Sequence, residues 1–275
     1  MKYLLTGGAG SLGRRLAKHL LTFDETEIVR VLDINENGLA RLRQKINDPR
    51  IRWLLGDVKD EHRMERAMEN IDVCFHLSAQ KHVDLAETNP EYCLQTNVLG
   101  TQSCINAALK CEIEKFIFTS SDKAVGAVST YGRCKALGES LVLDANRYKG
   151  DRRTAFSVAR PPNYINSDGS IFDLWRYQKK HGLPITVTST AMKRYFMSFP
   201  EILDFLMKCL NMMNGGETFV PANAKETSII DLARQFSENI KIIGIRKGER
   251  LRELLMDSEE KKRAMRVGGI WVINQ

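Results

Sequence analysis

Tyr131 and Lys135 stand four residues apart in the run Tyr131-Gly132-Arg133-Cys134-Lys135. That spacing brings both side chains to one face of a helix. A lysine ammonium beside a phenol favours the phenolate, which can serve as a base toward a substrate hydroxyl. Ser121 lies ten residues earlier, where its hydroxyl could hold the reacting oxygen, and Asp122 and Lys123 follow it directly. Hydride transfer alone has no use for a further acid and base at that place, whereas elimination of water does. Oxidising the C4 hydroxyl of a sugar acidifies the C5 proton. A base then removes that proton while an acid protonates the departing C6 hydroxyl. A Tyr-x-x-x-Lys pair also arises on ordinary amphipathic helices, and Asp-Lys on its own makes loop ion pairs. The combination is what points to chemistry.

Oxidation at a sugar carbon needs a hydride acceptor, and the chain opens with a place for one. In Thr6-Gly7-Gly8-Ala9-Gly10-Ser11-Leu12-Gly13, Gly7, Gly10 and Gly13 are spaced G-x-x-G-x-x-G between an apolar strand and a helix. Glycines permit the tight turn and let the backbone approach a pyrophosphate, which the helix N-terminus then receives. Ser11 and Leu12 belong to the same loop. Asp33, about 20 residues on at the end of the second strand, suits the adenine ribose hydroxyls. A carboxylate there repels a 2′-phosphate, so NAD is the expected cofactor, with NADP left open because Arg30 on the same strand could soften the preference. Asp57 and Val58 close the third strand where an adenine would lie, and Ala79 ends the fourth with a small side chain. Lys135 is expected to touch the cofactor as well as Tyr131.

The elements that must position these groups follow from the apolar pattern. Residues 2–6, 28–33, 51–55, 73–78, 115–120 and 155–159 read as buried parallel strands. Helical segments fall at 12–21, 36–46, 61–70, 91–109 and 131–146. The alternation predicts an α/β fold, a Rossmann-like doubly wound sheet of about seven parallel strands. After Pro161-Pro162 the rhythm loosens. Strand candidates at 185–188, 218–220 and 242–245 mix with helix candidates at 170–180, 200–214 and 229–238. The division expected is a dinucleotide domain over 1–161 and a smaller C-terminal substrate-binding lobe over 162–275, interleaved with it.

Composition narrows the class. The chain of 275 residues is 43% hydrophobic and carries a formal charge of +7. That apolar content supports a packed core, and the positive charge suits an anionic substrate. No zinc finger, RNP-type motif or basic-aromatic helix points to nucleic acid. No apolar run reaches the ~18 residues of a membrane span, and the first residues read as a strand rather than a secretory signal. The cytoplasm is the expected compartment and no membrane partner is expected. The six cysteines are scattered without a C-x-x-C pair, so they read as reduced and structural, with no metal site.

These motifs bring the chain close to a known family. It resembles the UDP-N-acetylglucosamine 4,6-dehydratases of polysaccharide biosynthesis, within the extended short-chain dehydrogenase/reductases, nearly end to end. The matching stretches are 6–13, 47–50, 56–60, 81–83, 86–87, 96–100, 120–124, 131–135, 184–188, 192–197, 215–221 and 243–251. The resemblance implies a UDP-sugar substrate, with Tyr131 taking the O4 proton and Asp122 and Lys123 acting as acid and base of water elimination. It further implies substrate contacts from Lys81, His82, Asn163, Arg194, Arg246 and Glu249, with Arg194 near the pyrophosphate. Relatives pair through helices next to the Tyr-Lys helix, so a homo-oligomer is expected. The chain departs from the family pattern at Arg160-Pro161-Pro162-Asn163 in place of Arg-x-Gly-Asn. It departs again at Ser167-Asp168-Gly169-Ser170 in place of Ser-Arg-Gly-Ser, and at Ser189-Thr190-Ala191, where the family has Asp-Pro. Many members also continue past the point where this chain stops. These changes would also suit a reductase or epimerase of a UDP-4-keto-6-deoxy sugar. A non-catalytic dinucleotide-binding regulator is the third reading, and the intact Tyr-Lys pair argues against it.

Overall fold

The structure, a computed structural model, describes residues 1–274. Six short apolar runs form β1 (Lys2–Thr6), β2 (Ile28–Asp33), β3 (Ile51–Leu55), β4 (Val73–His76), β5 (Lys115–Thr119) and β6 (Ala155–Ala159). Between them lie α1 (Gly13–Leu20), α2 (Glu36–Arg43), α3 (Glu61–Met68), α4 (Val83–Thr88), α5 (Pro90–Leu94), α6 (Gly100–Lys110) and α7 (Thr130–Tyr148). Each strand alternates its burial between two cores, as a period of two requires. Tyr3, Leu5, Val31, Phe75 and Ile117 face one cluster, with Leu16 and Leu20 of α1. Leu4, Leu32, Cys74, Phe116 and Phe118 face the other, with Met64 and Met68 of α3, Ile105 of α6 and Val142 of α7.

The remaining elements are β7 (Asn163–Tyr164), α8 (Ile171–Lys180), β8 (Ile185–Val187), β9 (Lys193–Met197), α9 (Phe199–Met212), β10 (Glu217–Pro221), β11 (Lys225–Ser228), α10 (Ile229–Arg234), β12 (Ile240–Ile242), α11 (Ser258–Arg263), β13 (Met265–Val267) and β14 (Ile270–Asn274). The main sheet runs β13-β14-β10-β6-β5-β4-β1-β2-β3. The seven strands from β10 to β3 are parallel. The sequence reading did not include the two antiparallel strands that extend this sheet, β14 and β13. β7, β9 and β11 form a second small sheet, and β8 pairs with β12 in a third. β12 falls at 240–242, ahead of the 242–245 expected, and β7, β9 and β11 were not anticipated. These strands are short and carry charged residues such as Lys193 and Lys225, so their alternation is weak. Neighbouring β1 and β4 send the chain to opposite sides of the sheet, and ligands of open α/β sheets bind at such a switch point, outside the strands' carboxyl ends.

The helix read over 91–109 is in fact divided. Asn89-Pro90 ends α4 and opens α5, and residues 95–99 form a turn of π-helix before α6. Asn97 in that turn exchanges two hydrogen bonds with the Gln80 backbone, accepting from its N–H at 2.8 Å and donating to its carbonyl at 3.0 Å. The π turn thereby pins the loop that follows β4. Such bulges recur at functional sites.

Candidate active site

One cavity of about 950 Å³ runs along the carboxyl ends of the strands. This is at the upper end of the roughly 300–1,000 Å³ of small-molecule sites. Its walls include Gly7, Gly10, Ser11, Leu12, Gly13, Asp33, Asp57, Val58 and Ala79 from the first half of the chain. Ser121, Lys123, Tyr131 and Lys135 line its middle, and Lys81, His82, Asn163, Arg194, Arg246 and Glu249 also reach it. Asp122 does not: it is fully buried behind that wall.

The glycine loop fits a dinucleotide pyrophosphate. Gly7 adopts φ +65°, and a Cβ there would lie 2.8 Å from the Ser78 backbone. A Cβ on Gly13 would lie 2.5 Å from Gly8 Cα. The loop is therefore folded tightly on itself and against the end of β4, as close backbone approach requires. The first turn of α1 has no side-chain cap and no acidic residue, so its positive end is not neutralised by the protein. Asp33 accepts from the Ala9 N–H and the Asn35 N–H, both at 2.9 Å, which ties the loop to β2 while the carboxylate still lines the cavity. Arg30 turns away from the cavity, donating to the Ala67 and Glu69 carbonyls at 2.8 and 2.7 Å. Its burden on the cofactor choice, anticipated from the sequence, is thus removed. The cap of α3 is Asp60, which leaves Asp57 free of that role. Five buried side-chain oxygens of residues on this wall, Gln80 Oε1, Thr96 Oγ1, Thr119 Oγ1, Ser120 Oγ and Ser170 Oγ, have no hydrogen-bond partner among the described residues. They suit a polar ligand.

Tyr131 and Lys135 project from the first turns of α7, whose N-cap Ser129 accepts from the Gly132 N–H. Lys135 Nζ donates to the Thr119 carbonyl at 2.6 Å and lies 3.9 Å from the centre of the Phe118 ring. Burial pulls its ammonium down to about 7, against the opposing pull of Glu139, Cys93 and Cys134. Tyr131 departs from the sequence expectation. Its phenol is pushed up, first by burial and then by the charge of Asp122, while a hydrogen bond with Ser121 pulls it back. The reason is that a buried phenolate loses its water, and Lys135 is itself held by burial and aimed at Thr119 rather than freely charged beside the phenol.

Asp122 and Lys123 sit on a turn of 3₁₀-helix between β5 and α7. Asp122 Oδ1 accepts from Ser121 Oγ at 2.8 Å and from Lys123 Nζ at 3.0 Å. Its Oδ2 accepts from Asn163 Nδ2 at 2.9 Å. The pair the sequence treated as equals is therefore unequal, since only Lys123 reaches the cavity. The residue that sets this turn is one the sequence reading passed over. A Cβ on Gly132 would lie 2.2 Å from the Lys123 carbonyl oxygen, because α7 packs directly onto the turn. Gly to Ala inside a helix ordinarily gains about 1 kcal/mol. Here the sign should reverse: Gly132→Ala is expected to destabilise by roughly 1–3 kcal/mol, the usual range for overpacking, measured by urea denaturation. A more stable variant would disprove the close packing.

The expected substrate contacts separate into two groups. Arg246 and Glu249 pair with each other at 3.0 Å at the cavity mouth, with Arg246 well exposed. Arg194 is buried, and its guanidinium donates to the Lys193, Leu251 and Arg250 carbonyls at 2.8, 3.1 and 2.8 Å, holding the segment that carries Arg246 and Glu249. A loop closes across the glycine turn. Asp168 takes both Arg14 nitrogens, at 2.5 and 2.7 Å, and its N–H donates to Ser11 Oγ at 2.8 Å. Lys81 Nζ donates to the Asp168 carbonyl at 2.5 Å. The Arg14 bond holds the Asp168 carboxyl down at about 2. Gly169, at φ +67°, follows with the His82 ring beneath it, 2.6 Å from where a Cβ would be. The acidic residue that replaces the family's arginine is therefore a strap between the substrate loop and α1. No helix among the described residues is long and apolar enough to cross a membrane, and the six cysteines are free thiols.

A parallel sheet with a glycine turn at its switch point and a Ser-Tyr-Lys set beside it defines an enzyme of the extended short-chain dehydrogenase/reductase type. The chain belongs to the polysaccharide biosynthesis protein family, whose model matches residues 3–275. An uncharacterized membrane protein of Methanocaldococcus jannaschii is 45% identical over 269 residues, 94% of this chain and 80% of that protein. The UDP-N-acetylglucosamine 4,6-dehydratase (inverting) of Campylobacter jejuni is 34% identical over 260 residues, 94% of this chain and 78% of that enzyme. A UDP-glucose 4-epimerase of Rickettsia rickettsii is 32% identical over 269 residues, 95% of this chain and 79% of that enzyme. Among solved structures, Pen from Bacillus thuringiensis superposes with a TM-score of 0.96 at 32% identity, covering 100% of this chain and 88% of that one.

Proposed function

We propose that this chain is an NAD-dependent 4,6-dehydratase of a UDP-sugar resembling UDP-N-acetylglucosamine. The observation that carries the reading is the contacting Asp122–Lys123 pair, with Lys123 on the cavity wall near Tyr131 and Ser121. The dehydratase named among the relatives supports it. Gly7–Gly13, Asp33, Asp57, Val58 and Ala79 would hold the dinucleotide, and the cavity-lining residues of the two small sheets and their loops would hold the sugar nucleotide. Bound NAD would supply the reversible hydride acceptor that exchange between C4 and C6 requires.

The protein's own groups handle the protons. Tyr131 takes the O4 proton while Ser121 holds that oxygen. Asp122 acts through Lys123. Transfer of one proton from the Lys123 ammonium to Asp122, across their 3.0 Å contact, leaves a neutral amine on the wall. That amine takes the C5 proton and becomes an ammonium. The new ammonium delivers the proton to O6 as it leaves, so water departs and a C5–C6 double bond forms. Asp122 then returns its proton to Lys123, which protonates C5 as C6 receives the hydride, and the proton that Tyr131 took from O4 passes back to restore the Lys123 ammonium. Incubation with UDP-N-acetylglucosamine, followed by mass analysis, should reveal loss of water without added NADH. No loss of water, together with NADH oxidation by a UDP-4-keto-6-deoxy sugar, would establish the reductase reading instead. Interconversion of sugar epimers without loss of water would favour the epimerase reading, which the Rickettsia relative keeps in view.

Cofactor choice has a separate test. Asp33 lines the cavity with its carboxylate, and Arg30 is committed to α3. NAD(H) should bind at least about tenfold more tightly than NADP(H), the size expected for one unfavourable charge contact of about 1.4 kcal/mol. Fluorescence titration with both cofactors measures this. Equal or tighter binding of NADP(H) would refute it.

A further inference from the structure

We infer that Asn163 is a positioning residue that sets the charge and aim of Lys123, rather than a direct contact to the sugar nucleotide. The inference rests on the dehydratase reading for its meaning, but not for its test. A carboxamide has two N–H donors and one acceptor oxygen. In Asn163 both kinds of group are engaged by the protein. Nδ2 donates to Asp122 Oδ2 at 2.9 Å and to the Tyr195 carbonyl at 3.1 Å. Oδ1 accepts from Lys123 Nζ at 3.1 Å. No N–H remains for a ligand, although the residue lines the cavity.

The arrangement has a fixed polarity. The Tyr195 carbonyl can only accept, so it fixes Nδ2 on the Asp122 side and Oδ1 on the Lys123 side. Asn163 thus presents a donor to the carboxylate and an acceptor to the amine at once. Asp122, with Ser121 and Lys123 on one oxygen and Asn163 on the other, is held in a single orientation. Lys123 Nζ is held between two oxygens, Asp122 Oδ1 and Asn163 Oδ1. Asn163 reaches this place from the second sheet: it begins β7 and lies opposite Phe196 of β9. The acid–base pair on the first sheet is therefore aimed by a residue anchored on the lobe expected to hold the substrate.

Two substitutions separate this role from its rivals. Asn163→Asp keeps the shape but places a second negative charge beside Lys123 and removes the donor to Asp122. Asn163→Ala removes all three side-chain bonds. Reaction of Lys123 with a small acylating reagent, mapped by peptide mass, reads its neutral fraction and needs no substrate. In Asn163→Asp the added negative charge favours the ammonium, and labelling should slow roughly tenfold. In Asn163→Ala the acceptor is lost, and labelling should become several-fold faster, the same principle acting in the opposite direction. Dinucleotide titration checks that each variant remains folded. With the UDP-sugar, both variants should form reduced cofactor at nearly the wild-type rate, while loss of water slows by about 10²-fold, as misaimed catalytic groups cost, with KM little changed. Unchanged labelling in both variants would overturn the inference, as would movement of both in one direction, which signals general loosening. A raised KM at constant kcat would also overturn it, restoring a direct substrate contact. If the wild type dehydrates no UDP-sugar, the proposed function fails, and the labelling still decides the role of Asn163.

Discussion

Tyr131→Phe should bind the dinucleotide as the wild type does and turn over the sugar nucleotide roughly 10²–10⁴-fold more slowly, the usual contribution of one positioned acid or base. The ring packs with Ala86, Cys93, Val98 and Cys134, and those contacts survive the substitution. What disappears is the hydroxyl, its hydrogen bond with Ser121 and its capacity to take the O4 proton. Because burial pushes the phenol up, the wild-type rate should also rise with pH until the phenolate is formed in the loaded enzyme, and this limb should vanish in the variant. Stopped-flow absorbance of the nicotinamide measures the first hydride transfer directly. Reduced cofactor forming at the wild-type rate in Tyr131→Phe would remove Tyr131 from the chemistry.

The second large effect falls on a different step. Lys123→Met keeps length and much of the packing but removes the only member of the Asp122–Lys123 pair that reaches the cavity. C4 oxidation should continue, so reduced cofactor should accumulate, while release of the dehydrated product falls by roughly 10²–10⁴-fold. Asp122→Asn should give the same pattern for another reason: Lys123 then has no carboxylate to take its proton and stays an ammonium. The substitution also replaces an acceptor of three hydrogen bonds with an amide, so its stability should be compared by denaturation before rates are interpreted. Wild-type rates of water loss in both variants would show that the pair is only an internal ion pair. Loss of oxidation as well as elimination would mean that Lys123 acts earlier than proposed.

The residues that carry local rules were legible from the chain alone. Alternating apolar runs specified β1–β6, because a strand buried on both faces has few polar positions. The Gly7–Gly13 spacing specified the turn, because the required conformation admits only residues without a Cβ at Gly7 and Gly13. The four-residue spacing of Tyr131 and Lys135 put them on one helix face, where they are found. The family-like stretch at 47–50 was equally legible, yet its job is structural: Arg50 ties Asp48 to the Leu21 carbonyl at the opposite end of β2.

Properties that depend on contacts distant in sequence were decided only by the tertiary structure. Asp122 and Lys123 are neighbours in the chain, but their burial differs because α7 packs on their turn at Gly132 and β7 delivers Asn163 to them. The upward push on Tyr131 comes from desolvation, a property of the packed interior that spacing does not encode. Asp168 looked like a lost cation in the loop, and only folding brings it to Arg14, 154 positions away. Arg194 matched a phosphate-binding arginine by its motif alone, and only the fold shows that its guanidinium also holds the carbonyls of residues 250 and 251. The available chemistry could be read along the chain, because side-chain type and local spacing are one-dimensional. Which group faces the substrate, and in which charge state, was decided by three-dimensional packing, because solvation and hydrogen-bond partners come from segments the chain brings together only when it folds.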